Sequence, residues 1–226
     1  MARKPPRRTR ERILEISLRL FNDLGEPGVN TTHIADEMRI SPGNLYYHFR
    51  NKDDIVLSLY RQFEAEIDPL LRLDGAPAGV EDAWLFLHLL FELIWKYRYL
   101  YRDLGHLLLN NRTLETRFQA LLSRKTAVLR RLCEALADRG ELRATRAEID
   151  ALAENLVVVA TWWLSYRYAL SPRRFGDPAY VAEVLAAGCY HGMMLTSPYL
   201  TGDARGLFER LAAGYLGQTQ AAGPTR

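Results

Sequence analysis

Cysteine is nearly missing from this chain. The 226 residues hold two, Cys133 and Cys189, with neither C-x-x-C nor metal-ligand spacing. That excludes a disulfide framework and leaves buried, reduced thiols as the reading. Cys189 and His191 are two apart on a predicted helix and point to different sides, so no metal is assigned. No apolar run approaches the ~20 residues of a membrane helix; the most apolar stretch, Ala83 to Phe91, contains His88. The basic start is followed by no apolar segment of the signal-peptide kind, so the expected location is cytoplasmic. There is no glycine-rich phosphate loop after a strand, no H-E-x-x-H and no nucleophile elbow. Glu92, Glu115, Glu134 and Glu154 are scattered as on solvated faces. Neither an enzyme nor a cofactor is expected. Strand-like alternation and internal repeats are absent too, which leaves an all-α chain.

Net charge is small, and the basic excess is concentrated at one end. Residues 1 to 12 carry six Arg or Lys against Glu11, so that a chain of formal net charge +3 has −2 over the remainder. Arg3, Lys4, Arg7, Arg8, Arg10 and Arg12, with Pro5 and Pro6, read as an arm over residues 1–8, disordered when free. Such an arm reaches phosphates or a minor groove; a solubilising tail is the alternative.

What the chain does have is the segment SPGNLYYHFRNKDD, Ser41 to Asp54. Ser41 is a good N-cap and Pro42 fits the first helical position, where its missing N–H costs nothing. Leu45 and Phe49 share a stripe that should face a core, with Ile40 on the same side. The other face is left with Gly43, Asn44, Tyr47 and His48, and Tyr46 at its edge. Two exposed rings and a histidine on a helix of two turns are hard to explain by packing, whereas Asn can pair with adenine edges and Tyr and His can reach phosphates or thymine methyls. Asn51 then caps the next helix, with Asp54 three residues on. Lys52 in its first turn opposes the helix dipole, and a phosphate there would remove the conflict.

Upstream, Asn30 caps a helix with Ile34, Ala35 and Met38 at helical spacing, joined by a turn through Arg39 and Ile40: a helix-turn-helix. Before it, Thr9 to Leu24 places Ile13, Leu14, Ser17, Leu20, Phe21 and Leu24 on one face, ended by Gly25, Pro27 and Gly28.

Residues 9 to 60, through RILEISLRLFNDLGEPGVNTTHIADEMRISPGNLYYHFRNKDDI, resemble the DNA-binding domain of the TetR family of bacterial transcription regulators. By position, the resemblance implies contacts to phosphates and bases from Thr31, Thr32, Ser41, Gly43, Asn44, Tyr46, Tyr47, His48 and Lys52; for Thr31 and Thr32 it is the only ground. Arg39 departs from the pattern, standing where many relatives have Gly. The expected organisation is an arm (1–8), a helix-turn-helix domain (9–51), a connecting helix (52–73) and a helical effector-binding and dimerisation domain (74–226). Asp74 to Gly79, DGAPAG, breaks the chain. Helical patterns then cover Val80–Tyr97, Tyr101–Leu109, Thr113–Arg139, Arg146–Ala169, Pro178–Thr196 and Asp203–Leu216.

Within the Arg146 helix, LVVVATWWL from Leu156 to Leu164 is apolar all round and must be covered on every side. The Pro178 helix carries Ala186, Ala187, Gly188 and Gly192, and interior glycines mark close backbone approach. These two helices are expected to form a four-helix dimer interface through Val158, Trp163, Val184, Gly188 and Gly192, as the corresponding ones do in the family; an intramolecular core is the alternative. A largely apolar or aromatic effector is expected among Trp84, His88, Phe91, Trp95, Tyr101, His106, Thr161, Trp162 and Ser165. The function expected from the resemblance is a dimeric repressor on an inverted-repeat operator in double-stranded DNA, released by a small molecule. Activation and a co-repressor response stay open, as does a helical ligand-binding or adaptor protein with a vestigial helix-turn-helix, which Arg39 alone favours.

Overall fold

The structure, a computed structural model, describes residues 6–72 and 79–221, with side chains for 8–72 and 79–215. Among these there are eleven α-helices and no strand beyond a single bridge between Leu142 and Leu200. The fold is all-α, an N-terminal helix-turn-helix domain followed by a helical C-terminal domain. Residues 1–5 of the expected arm and residues 73–78 of the DGAPAG break lie outside the described residues.

The chain divides into two compact units, one of Met1–Glu66 and Tyr97–Arg117, the other of Ile67–Lys96 and Phe118–Arg226. The division differs from the expected boundaries, because residues 97–117 join the N-terminal unit.

In the first unit, α1 (Pro6–Leu24) begins three residues before the expected Thr9 and buries Ile13, Leu14, Ser17 and Phe21 at helical spacing. Leu24, expected on that face, is 61% exposed. Gly25 ends the helix at φ 88°, where L side chains are strained. Asn30 caps α2 (Thr31–Met38), its Oδ1 accepting from the His33 N–H at 2.9 Å, and Ile34, Ala35 and Met38 are buried. Ser41 caps α3 (Pro42–His48), accepting from the Asn44 N–H at 3.3 Å. Leu45 and Phe49 are buried on the same core. α4 (Lys52–Arg72) follows, with Asn51 Oδ1 accepting from the Asp54 N–H at 2.9 Å.

The turn between α2 and α3 holds Arg39 at φ 54°, ψ 46°, the only non-glycine at positive φ among the described residues. Its N–H reaches Asp36 O at 2.9 Å and the Ile40 N–H reaches Ala35 O at 3.0 Å, so the helix end closes as it would around glycine. The departure from the family pattern therefore leaves the turn geometry in place.

The remaining elements of this unit are α6 (Arg98–Arg102) and α7 (Leu104–Asn110), two helices where the sequence pattern suggested one. Tyr97, Tyr99 and Tyr101 are all buried. Tyr99 packs on Phe21 at 5.4 Å between ring centroids, and Tyr97 and Tyr101 pack on Phe63 at 5.3 and 6.0 Å. Arg102 closes the end of α1: its guanidinium donates to Asn22 O at 3.0 Å, a carbonyl of the last helical turn, and to Phe21 O at 2.7 Å, which also accepts the Gly25 N–H at 3.0 Å. Asn22 in turn accepts from the Tyr99 N–H at 3.1 Å, and Asp103 accepts from the Glu26 N–H at 2.8 Å.

In the second unit, α10 (Pro178–Met194) packs against α5 (Val80–Lys96), α9 (Arg146–Leu170) and α11 (Gly202–Ala221), and the Phe118–Asp138 part of α8 (Arg112–Asp138) belongs to the same unit. Thr145 and Glu148 cap α9 reciprocally, the Thr145 N–H donating to Glu148 Oε2 at 2.7 Å. Gly188 is where α10 meets its neighbours most closely. A Cβ there would lie 2.8 Å from the rings of Phe91 and Trp163. On α8, Lys125 is 1% exposed, and burial pushes its ammonium down to a pKa of about 7. Both thiols are buried, and burial pushes each up to about 12.

Candidate functional site

The outward face of α3 is built by its inward one. With Leu45 and Phe49 fixed in the core, a helix of seven residues must present Gly43, Asn44, Tyr46 and Tyr47 to solvent, and all four are exposed. Tyr47 is 79% exposed and meets the half-buried His48 edge-on, with ring centroids 5.2 Å apart. Tyr46, 51% exposed, lies 3.0 Å by its hydroxyl from Thr31 Oγ1, so the first turn of α2 and the recognition helix present their polar groups together. Thr32 and Ser41 are exposed beside them in the chain. His33 and Arg50, exposed at the edges of the same two helices, were not selected from sequence; their positions next to Thr32 and Phe49 were the available signal. From the basic end of α1, Arg10 is engaged inside the unit, donating to Ser58 Oγ at 3.2 Å and lying 4.7 Å over the Phe49 ring.

Lys52, expected to meet phosphate, is engaged within the unit. Its ammonium has three hydrogens, and three acceptors surround it within this unit: Glu26 O and Val29 O at 3.0 Å each, and Glu26 Oε1 at 2.8 Å. The conflict with the dipole of α4 is resolved by backbone carbonyls and a buried carboxylate instead of a phosphate. Lys52 ties the turn after α1 to the start of α4.

The residues expected to line one effector pocket fall in different places. Tyr101 is core of the first unit, and His106 lies on α7 with its Nε2 3.5 Å from Glu26 Oε2. In the second unit, Trp84 packs on Phe208 and Tyr215, and His88 Nδ1 is 3.0 Å from the Tyr215 hydroxyl. Trp95 packs on Phe175 at 5.3 Å, Phe91 lies against Gly188, and Ser165 is half-buried. Thr161 is fully buried, and its hydroxyl has no hydrogen-bond partner.

The dimer residues are also redistributed. Trp163 is buried, its Nε1 donating to Val184 O at 2.8 Å; Val184 is buried, and Gly188 and Gly192 face side chains of α5 and α9. Their small size serves close packing inside the chain. Of the five, Val158 alone is exposed. With Trp162, Tyr166 and Leu170 it forms a solvent-facing stripe at four-residue intervals along α9. Trp162, expected in a pocket, points outward at 47% exposure.

A capped recognition helix with an exposed polar and aromatic face, set on a helix-turn-helix and followed by a larger helical body, defines a helix-turn-helix DNA-binding protein. The comparisons narrow that class. Residues 13–63 match the family model described as bacterial regulatory proteins, tetR family, and residues 62–208 match the bacterial transcriptional repressor model TetR. A TetR-family transcriptional regulator from Marinobacter aquaeolei VT8 is 34% identical, with 92% of this chain and 98% of that one covered and a TM-score of 0.82. The chain belongs to the TetR family of transcriptional regulators, which are DNA-binding proteins and not enzymes. The regulator AcrR of Shigella flexneri is 33% identical over 73 residues, 31% of this chain and about a third of that protein, at 34%. The fold is shared with SmeT in complex with triclosan, at 21% identity, TM-score 0.61, and 87% and 94% coverage. Among the described residues no helix is long and apolar enough to cross a membrane.

Proposed function

We propose that this regulator is a ligand-responsive repressor that binds an inverted-repeat operator as a homodimer and is released by a largely apolar or aromatic small molecule. The observation that carries the reading is the face of α3, where Tyr46 and Tyr47 are exposed on a helix fixed by Leu45 and Phe49. Asn44 and Gly43 approach base edges, while Thr31, Thr32, Ser41, Tyr46, Tyr47 and His48 meet phosphates and thymine methyls. Lys52 supports that surface from within and does not touch DNA.

A second copy of the chain covers the stripe of Val158, Trp162, Tyr166 and Leu170. Four large apolar side chains in register along one helix are costly to leave in water, and a two-fold partner presents the same stripe to them. Two recognition helices then read half-sites about one DNA turn apart (~34–36 Å). The buried Thr161 hydroxyl without a partner suits an apolar ligand with one polar group. SmeT, of the same fold, binds triclosan. Ligand releases operator only by binding the two states unequally, about 1.4 kcal/mol for each tenfold change in affinity.

The test is selection of genomic DNA fragments by the purified protein at near-physiological salt. Enrichment of an inverted repeat whose binding weakens steeply with salt is expected. Failure to enrich any sequence, with and without candidate ligands, would overturn the reading.

A further inference from the structure

A surface that reads DNA needs a cation beside its recognition helix, because phosphate contacts fix the register and carry much of the affinity. Lys52 is not free for that duty: its three hydrogens go to Glu26 O, Val29 O and Glu26 Oε1. From Thr31 to Arg50, through both helices of the helix-turn-helix, the chain has no lysine and only two arginines, Arg39 and Arg50, and Asp36 and Glu37 balance them. Arg39 stands in the turn before α3, whereas Arg50 follows directly on Tyr47, His48 and Phe49.

The backbone around Arg50 is fixed and its side chain is not. Phe49, extended at φ −141°, ψ 126°, sends its ring into the core and its N–H to Leu45 O at 3.0 Å. The next side chain therefore leaves on the opposite side, toward solvent. The Arg50 N–H donates to Asp54 Oδ2 at 3.2 Å, and Asn51 Oδ1 accepts from the Asp54 N–H at 2.9 Å. The Arg50 guanidinium is exposed, with no hydrogen bond, ion pair or ring contact among the described residues, although Asp53 and Asp54 lie three and four residues on. A rigid fork of N–H donors on a pinned backbone, beside the exposed face of α3, suits bidentate capture of a phosphodiester.

We propose that Arg50 is the phosphate anchor of the reading head: its guanidinium clamps a DNA backbone phosphate at the groove edge beside Tyr47 and His48, in the role that Lys52 leaves open. This rests on α3 reading DNA but not on an inverted repeat, since a phosphate contact carries no sequence information.

The test is fluorescence anisotropy of the full chain with a labelled mixed-sequence DNA duplex over a salt series. The parent should bind at low salt, with a slope of log affinity against log salt that counts the phosphates neutralised. Arg50→Gln should weaken binding roughly tenfold and flatten the slope by about 0.9 for each bound protomer, and Arg50→Lys should restore the slope. The parent slope is expected of Arg61→Gln, an equal change of charge at an exposed position of α4, and of Lys52→Met, whose cost shows as a lower thermal midpoint. A slope unchanged in Arg50→Gln, or flattened as far in Arg61→Gln or in a folded Lys52→Met, would overturn the anchor and leave the operator reading standing. A parent protein that binds no duplex at any salt overturns both.

Discussion

Lys125→Met removes a buried ammonium from the second unit. The side chain is 1% exposed, and burial lowers its pKa from 10.5 to about 7. At about 1.36 kcal/mol per unit this is a penalty of up to about 5 kcal/mol on the charged form. In the unfolded chain the amine holds its proton up to about pH 10.5, whereas in the folded chain it releases it near 7. Between those values the unfolded state binds one more proton, so stability rises with pH by about 1.4 kcal/mol per unit. Below pH 7 the penalty is full and constant. Methionine has similar length, good helix propensity and no charge, so the variant should be more stable at pH 7, with the gap closing as pH rises. Urea unfolding of both proteins at pH 7 to 10, at one fixed protein concentration, measures the gap. Taking the difference cancels the titration of shared groups, including Tyr99 and Tyr101, which burial holds protonated well above their usual range. A gap that is independent of pH would refute the reasoning, whatever its size.

Arg39→Gly should stabilise the first unit by roughly 0.5–1 kcal/mol, because relief of a left-handed non-glycine exceeds the added chain entropy, and an unchanged or lower denaturation midpoint would contradict it. Gly188→Ala should lower stability by about 1–2 kcal/mol, read as a lower denaturation midpoint, since a Cβ 2.8 Å from Phe91 and Trp163 forces both rings to move while helix propensity recovers only part of the cost. Trp162→Glu should leave the helical content intact and shift the protein toward monomer in sedimentation; a dimer as tight as the parent would show that the stripe is not the seam.

Helix boundaries were legible wherever capping chemistry is local. Asn30, Ser41 and Asn51 each accept the backbone N–H their spacing foretold. The face of α3 was legible for the same reason, since Leu45 and Phe49 leave only one way out. Contacts distant in sequence were not. Nothing in YRYLYR says that Tyr97, Tyr99 and Tyr101 pack with Phe21 and Phe63 in the N-terminal unit. Lys52 looked like an anion seeker because its acceptors are mainly backbone carbonyls, which have no sequence signature. In LVVVATWWL the one polar residue, Thr161, is itself buried and marks no solvent side, so periodicity could not separate the buried Trp163 from the exposed Trp162. Gly188 and Gly192 announced a close approach without naming the partner, which is the chain itself.

The closure of α1 by Arg102 bears on how such a protein is made and re-engineered. The carbonyl of Asn22 waits for a side chain 80 residues downstream, while that of Phe21 already holds the Gly25 N–H. At ~5–20 residues per second of synthesis, that is a delay of roughly 4–16 s during which the nascent reading head has a frayed end and no Tyr99 against Phe21. A hybrid regulator spliced just after the recognition helix would inherit the same defect permanently. A graft that also carries residues 97–117 would transplant the head whole.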